Sequence, residues 1–214
     1  MKKTLKEADF KIAKAGYVAN EPQLSSSLHA NCYTEEKYLA VERHAIFQKT
    51  WQCACHEEKL RKSGDYFVKV IAGYSILLLR NKAGELRAFY NVCKHRGHEL
   101  LKGEGNTQMI VCPYHAWCYD LDGGLRSARH TEHLEEFDQG EICLSKVQVE
   151  EFCGFIYVNL DLDAVSLTVQ SGGLAKEIGE FAPDVNALTF AHRLTFDIKS
   201  NWKNIVDNFL ECYH

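Results

Sequence analysis

The sequence predicts an α+β chain in which an antiparallel β domain lies between helical ends. Three observations carry that expectation. Short runs rich in aromatic and β-branched residues fill the middle of the chain, turn residues separate them, and apolar residues near the helical period mark both flanks. The first forty residues are polar and mixed, and a helix is expected over TEEKYLAVERHAIFQKTW, where Leu39, Val41, Ala45, Ile46 and Trp51 recur near the helical spacing. Thr34 is the expected N-cap, with Glu35 and Glu36 favourable in the first turn. DYFVKVI, YSILLLR and LRAFYNV read as strands, divided at Ala72-Gly73 and at Asn81-Lys82-Ala83-Gly84. QMIVC, AWCYDL, ICLSKVQVEEF and GFIYVNL follow, with Asp122-Gly123-Gly124 as a hairpin turn. These runs make a β domain of roughly 120 residues. Residues 164–186 read as a polar linker and helix, LTFAHRLTFDIKS as a further strand, and NWKNIVDNFLECYH as a closing helix.

Two short clusters fall at strand ends or hairpin tips of this domain. Cys93-Lys94-His95 and Cys112-Pro113-Tyr114-His115 each supply one thiolate and one imidazole, spaced C-x-H and then C-x-x-H. That set suits a Rieske [2Fe–2S] centre, in which two cysteines hold one iron and two histidines the other. Neutral histidines in place of two thiolates remove negative charge and raise the reduction potential, so such a centre moves single electrons. A structural zinc site also uses two Cys and two His. Its usual spacing pairs like ligands, C-x2–4-C with H-x3–5-H, whereas here each loop mixes the two types. A bland reading makes Cys93 and Cys112 small buried hydrophobes with incidental histidines. Ligand type and spacing together favour the Rieske assignment.

Composition narrows the field further. Apolar residues make up 46% and charged residues 25% of the 214, an ordinary globular balance. The formal net charge is −4 and the longest basic run is Lys2-Lys3, which argues against nucleic acid as a partner. The amino terminus does not read as a signal peptide and no segment approaches a membrane span, so a cytoplasmic protein without a membrane partner is expected. The nine cysteines (Cys32, Cys53, Cys55, Cys93, Cys112, Cys118, Cys143, Cys153 and Cys212) form no regular framework, and free thiols are expected. Cys53 and Cys55 with His56 suggest a metal site, but nothing nearby completes a ligand set. A strand with alternating faces accounts for them more simply.

The motifs CKHRGHELL and CPYHAWCYDLDGGL, with FYNV upstream and NWKNIVDNFLECYH at the end, resemble those of the Rieske non-haem iron oxygenases, the large (alpha) subunits of the ring-hydroxylating family. Within that family YNVCKHRGHELLKGEG, CPYHAW and NWKNIVDNFLECYH are most similar to the quaternary-ammonium oxygenases of carnitine monooxygenase type. Respiratory Rieske proteins carry an extra, disulfide-forming cysteine in each loop. Here those places hold His98 and Trp117 or its neighbours, which favours the oxygenase type. The resemblance implies an amino-terminal arm and helix over 1–42 associated with the catalytic domain and a Rieske domain over 43–162. Residues 163–214 would then begin an α+β, helix-grip catalytic domain that they leave incomplete. Tyr114 and Trp117 are candidates to shield the cluster, although packing in a small β domain explains them equally well.

On a helix, Asp207, Glu211 and His214 fall within an arc of about 60°. From the helix alone a solvated polar face is an equal reading. The resemblance implies more. Members hold a mononuclear Fe(II) with two histidines and one carboxylate, leaving positions open for oxygen and substrate. His214 matches the first of those histidines, and Glu211 matches the carboxylate that bridges to a Rieske histidine of the neighbouring subunit. Most members have Asp there. The second histidine and the carboxylate ligand lie beyond residue 214 in the family pattern, so the 214 residues are expected to bind the cluster and to lack catalysis alone. For the complete enzyme the resemblance implies a flavin and ferredoxin-type reductase using NAD(P)H, a homotrimer, and O2-dependent hydroxylation of a small quaternary-ammonium substrate with C–N cleavage. An aromatic-ring dioxygenase with the same cofactors, and a Rieske ferredoxin-like electron carrier, are the alternatives.

Overall fold

The structure, a computed structural model, describes residues 28–129, 131, 133 and 136–210. They fall into two units, one of residues 28–46 with 192–210 and one between Phe47 and Ala191. The second unit is the β domain. Its strands are β1 (Gln52–His56), β2 (Asp65–Ile71), β3 (Tyr74–Arg80), β4 (Leu86–Tyr90), β5 (Glu104–Asn106), β6 (Ile110–Val111), β7 (Cys118–Tyr119), β8 (Leu125–Ser127), β9 (Lys146–Phe152) and β10 (Phe155–Asn159). Seven of them form one sheet in the order β1-β10-β9-β4-β3-β2-β5, and β6-β7-β8 form a second. Each pairing is antiparallel.

The β3 strand shows why the sheet is placed as it is. Ile76, Leu77, Leu78 and Leu79 are all fully buried, although successive strand residues face opposite ways. A strand covered on one side only would alternate apolar and polar; this unbroken apolar run is covered on both. Leu77 and Leu79 join Phe89, Trp117, Tyr119 and Leu144 in one core, which also contains Cys93 and Cys112. Ile76 and Leu78 join Phe67, Ala88, Val147 and Ile156 in the other. Leu78→Ala is therefore expected to cost about 2–5 kcal/mol. Urea unfolding should show a lower midpoint with an unchanged slope.

The Asp122-Gly123-Gly124 turn forms as expected and brings β7 back into β8. Gly123 has φ +88°, and a Cβ there would lie 2.6 Å from the Phe89 ring. Only glycine meets both demands. At β1 the strand is present but its alternation is not. The register shifts between Cys53 and Cys55, so Ala54 and Cys55 are both buried while Cys53 is exposed. Beyond β10, the stretch read as linker and helix forms two short helices, α3 (Leu167–Gln170) and α4 (Leu174–Phe181).

In the first unit, the long amino-terminal helix divides into α1 (Asn31–Thr34) and α2 (Glu36–Glu42), with a wide turn over Arg43–Phe47. Thr34 is not an N-cap. It ends α1, and its hydroxyl donates back to Ala30 O at 3.3 Å. Threonine readily makes that bond to the preceding turn. Glu35 then leaves helical geometry and occupies the N-cap position of α2 without a side-chain capping bond. The expected strand at LTFAHRLTFDIKS is not formed: residues 188–199 pair with neither sheet among the described residues. A strand exists only with a neighbour to bond to. The closing helix, α5, spans Trp202–Leu210. No helix among the described residues is long and apolar enough to cross a membrane.

Candidate metal centre

Residues 93–98 and 112–117 are two copies of one loop. In the first, Cys93 N donates to His98 O at 2.8 Å and Gly97 N to Cys93 O at 3.0 Å. In the second, Cys112 N donates to Trp117 O at 2.8 Å and Ala116 N to Cys112 O at 3.0 Å. The fifth residue of each is left-handed, Gly97 at φ +71° and Ala116 at φ +56°. A tight turn thus follows each cysteine and swings the next histidine to the same side. The segment that follows loop one is held by Asn91, fully buried just after β4. Its amide donates to Leu101 O at 2.8 Å and accepts from Leu101 N at 3.1 Å.

The four sequence-predicted donors come together in two pairs. Cys93 and Cys112 are buried in the core, 3% and 2% exposed, with sulfurs close enough to hydrogen bond. His95 and His115 are half-buried, their ring centroids 4.8 Å apart. The thiol end is thus sealed and the imidazole end reaches the surface. Burial raises the Cys112 thiol pKa, while the backbone N–H groups of Tyr114 and His115, aimed at its sulfur, pull it down. Burial, and then the neighbouring His95, Arg96 and His98, lower the His115 pKa, which favours the neutral ring that a metal requires. Trp117 stacks on His95 at 4.8 Å and 11°, and Tyr114, though 56% exposed, lies 3.8 Å from the His115 ring.

A [2Fe–2S] group fits these residues. Nδ1 of His115 is buried and has no hydrogen-bond partner among the described residues, a nitrogen that would be costly there unless it met a metal. Among the described residues no three His, Cys, Asp or Glu side chains could hold one ion together. The donors pair by type, two thiols together and two imidazoles together, as a dinuclear cluster with two protein donors at each iron requires. At β1, Cys53 is exposed and Cys55 is buried. His56 Nδ1 accepts from Glu58 N at 3.3 Å.

One residue beside the site was not singled out from sequence. Tyr119, fully buried, has its hydroxyl 3.2 Å from Cys93 Sγ and accepts from Lys94 N at 3.0 Å. Its own proton is then free to point at the sulfur. Burial and that sulfur contact push its pKa well above the usual tyrosine value, so it stays a donor. A donor to sulfur favours the more negative, reduced state. Tyr119→Phe is expected to lower the potential, by about 40 mV if the bond favours reduction by about 1 kcal/mol. Protein-film voltammetry against the parent protein reads this directly. The other two predicted site residues, Glu211 and His214, lie outside the described residues.

Fold and site together define an electron-transfer domain of Rieske type. Residues 50–138 match the Rieske [2Fe–2S] domain family, and residues 185–214 match the ring-hydroxylating alpha subunit catalytic domain. Along both stretches the chain is similar to the large subunits of Rieske oxygenases. It is 44% identical over 204 residues to the carnitine monooxygenase oxygenase subunit of Escherichia coli (strain K12), covering 95% of this chain and 54% of that relative. It is 37% identical over 189 residues to the chloroplastic choline monooxygenase of Beta vulgaris, covering 85% of this chain and 42% of that one. The crystal structure of the quaternary ammonium Rieske monooxygenase CntA with L-carnitine superposes with a TM-score of 0.81 at 41% identity, over 84% of this chain and 51% of that chain. Naphthalene 1,2-dioxygenase with indole gives 0.60 at 32%, over 64% and 32%. The chain spans about half the length of the carnitine monooxygenase relatives it matches. Its two matched domains imply a Rieske cluster and a mononuclear iron.

Proposed function

We propose that this chain is the cluster-bearing portion of a Rieske monooxygenase acting on a quaternary-ammonium compound of the carnitine or betaine kind. Pairing of two buried thiols at one end and two imidazoles at the other carries the electron-transfer part of that reading. Cys93 and Cys112 would hold one iron, and His95 and His115 the other. Bound there, the cluster would supply single electrons and a mononuclear Fe(II) would activate O2. Trp117 would keep water from the His95 face, and the N–H groups at Cys112 together with Tyr119 would steady the sulfurs. His214 would be a ligand of the second iron. Glu211 would accept a hydrogen bond from a cluster histidine of a neighbouring subunit and orient His214. Residues 1–42 and 163–214 would belong with the catalytic domain and 43–162 would form the Rieske domain. The assembly would be a cytoplasmic homotrimer served by a reductase that draws on NAD(P)H.

The higher identity to carnitine and choline monooxygenases than to naphthalene dioxygenase favours a quaternary-ammonium substrate over an aromatic ring. The test is substrate preference of the protein encoded by the whole gene, supplied with its reductase. Carnitine or γ-butyrobetaine should drive O2 uptake with release of an amine product. Faster uptake with naphthalene would move the protein to the aromatic class.

A further inference from the structure

The strands of the smaller sheet are only two or three residues long. A sheet so small is not stable by itself, so its place is set by what it packs against. It carries the second cysteine–histidine loop between β6 and β7, while the first loop leaves the large sheet after β4. The spacing of the two halves of the metal centre therefore depends on how the small sheet is seated. At the loop end, Trp117 stacks on His95 and the Tyr119 hydroxyl sits 3.2 Å from Cys93 Sγ. In the middle, Leu121 and Leu125 share one apolar core with Leu77, Leu79 and Phe89. Apolar contact is not directional and does not by itself fix tilt or slide.

At the far end the join is polar. Asn81, directly after β3 and only 2% exposed, donates through Nδ2 to Asp122 Oδ1 at 2.7 Å. Arg87 Nε, from β4, donates to the same oxygen at 3.0 Å. Neither turn needs this link for itself. Asn81 Oδ1 closes the β3–β4 turn by accepting from Ala83 N at 3.0 Å and Glu85 N at 2.8 Å, and Nδ2 also donates to Glu85 Oε2 at 3.0 Å. The β7–β8 turn is closed by Asp120, whose Oδ1 accepts from the N–H groups of Asp122 and Gly124, both at 2.9 Å. The Asp122 side chain is thus left to the other hairpin. Every donor and acceptor of the buried Asn81 amide is used, and a fully satisfied buried network specifies one arrangement. The hydrogen bond from Asn81, with Arg87 and Arg126 adding to it and burial opposing, holds the Asp122 carboxyl below the usual carboxylate range.

We propose that Asn81 and Asp122 are positioning residues for the metal centre: they lock the β7–β8 hairpin to the β3–β4 hairpin and so keep the Tyr119 hydroxyl on the Cys93 sulfur and Trp117 on His95. This rests on the reading that Cys93, His95, Cys112 and His115 hold a [2Fe–2S] cluster. Both residues act through β7.

The test compares Asp122→Ala with Asp122→Asn in the 214-residue chain. Both remove the charge, and only the amide keeps an oxygen for Asn81 and Arg87, so their difference reads geometry at equal charge. Hydrogen exchange of the 118–127 amides should quicken at least severalfold in Asp122→Ala and much less in Asp122→Asn, with exchange in β2 and β10 unchanged. By protein-film voltammetry the reduction potential should be lower in Asp122→Ala than in Asp122→Asn, because the Tyr119 donor to sulfur is weakened. That difference should vanish when both are combined with Tyr119→Phe, since residues acting through one another are not additive. Equal exchange in the two variants overturns the clip. Faster exchange with equal potentials makes the link purely stabilising and overturns the positioning role, as does a potential difference that survives Tyr119→Phe. If Asp122→Ala does not fold, Asn81→Ser, which keeps a hydroxyl to close the turn and leaves every charge in place, is compared with the parent by the same criteria. A parent chain that binds no cluster, or a Cys112→Ala variant that keeps one, rejects the reading beneath this inference instead.

Discussion

Glu211→Gln, made in the protein encoded by the whole gene, is expected to leave both iron sites filled while oxidation of the reduced cluster nearly stops. On our proposal Glu211 accepts a hydrogen bond from a cluster histidine on one side and orients His214 on the other. Partners of that kind set ligand orientation without binding metal, and their loss costs about 10–100-fold. An amide keeps the length of the side chain but presents one acceptor and one donor where the carboxylate presents two acceptors. Glu211→Asp, one methylene shorter, should keep part of the rate. Stopped-flow absorbance of the cluster in a single turnover gives the rate, with iron content measured in parallel. A parent rate in Glu211→Gln would reject the bridging role.

Cys112→Ala is expected to have the largest effect on the 214-residue chain itself. The sulfur is buried, paired with Cys93 and approached by two backbone N–H groups, so no water or neighbouring side chain can take its place. Bound iron should fall by more than about tenfold, since a site short of one ligand loses most of its binding free energy. The protein should also unfold at lower denaturant, because a group that binds only the folded state stabilises it. Cys53→Ala is the matched control. That thiol is exposed on β1 and should leave colour and iron unchanged. Retention of the cluster in Cys112→Ala would show that another residue is the ligand.

The parts of this molecule that the sequence made legible are those set by local period and spacing. YSILLLR reads as a strand because four consecutive apolar residues with turns on either side fit a sheet buried on both faces, and Ile76–Leu79 are so buried. The spacing of Cys93, His95, Cys112 and His115 was enough to name them as one set, and the structure puts the two thiols beside each other and the two imidazoles beside each other. The residues that escaped notice depend on contacts between distant segments. Tyr119 reaches Cys93 only because β7 packs against the first loop, and a tyrosine two residues past Trp117 carries no local mark of that. Asn91 sits in a motif, FYNV, that was noticed for its company and not for the buried amide that holds residues 99–101. Thr34 failed as a cap because its hydroxyl bonds backward to Ala30 O. Residues 188–199 alternate like a strand, yet alternation states only which face would be buried; pairing needs an edge to receive it.

The central claim is that the two loops hold a [2Fe–2S] cluster through two cysteines and two histidines. The most direct measurement is made on the 214-residue chain purified without oxygen. Iron and acid-labile sulfide are counted, and the dithionite-reduced protein is examined by electron paramagnetic resonance with resolution of nitrogen couplings. The account predicts a coloured protein with two irons and two sulfides per chain, a low average g-value, and couplings from two histidine nitrogens that disappear singly in His95→Cys and His115→Cys. A colourless protein carrying one zinc, or a cluster with no nitrogen coupling, would contradict it.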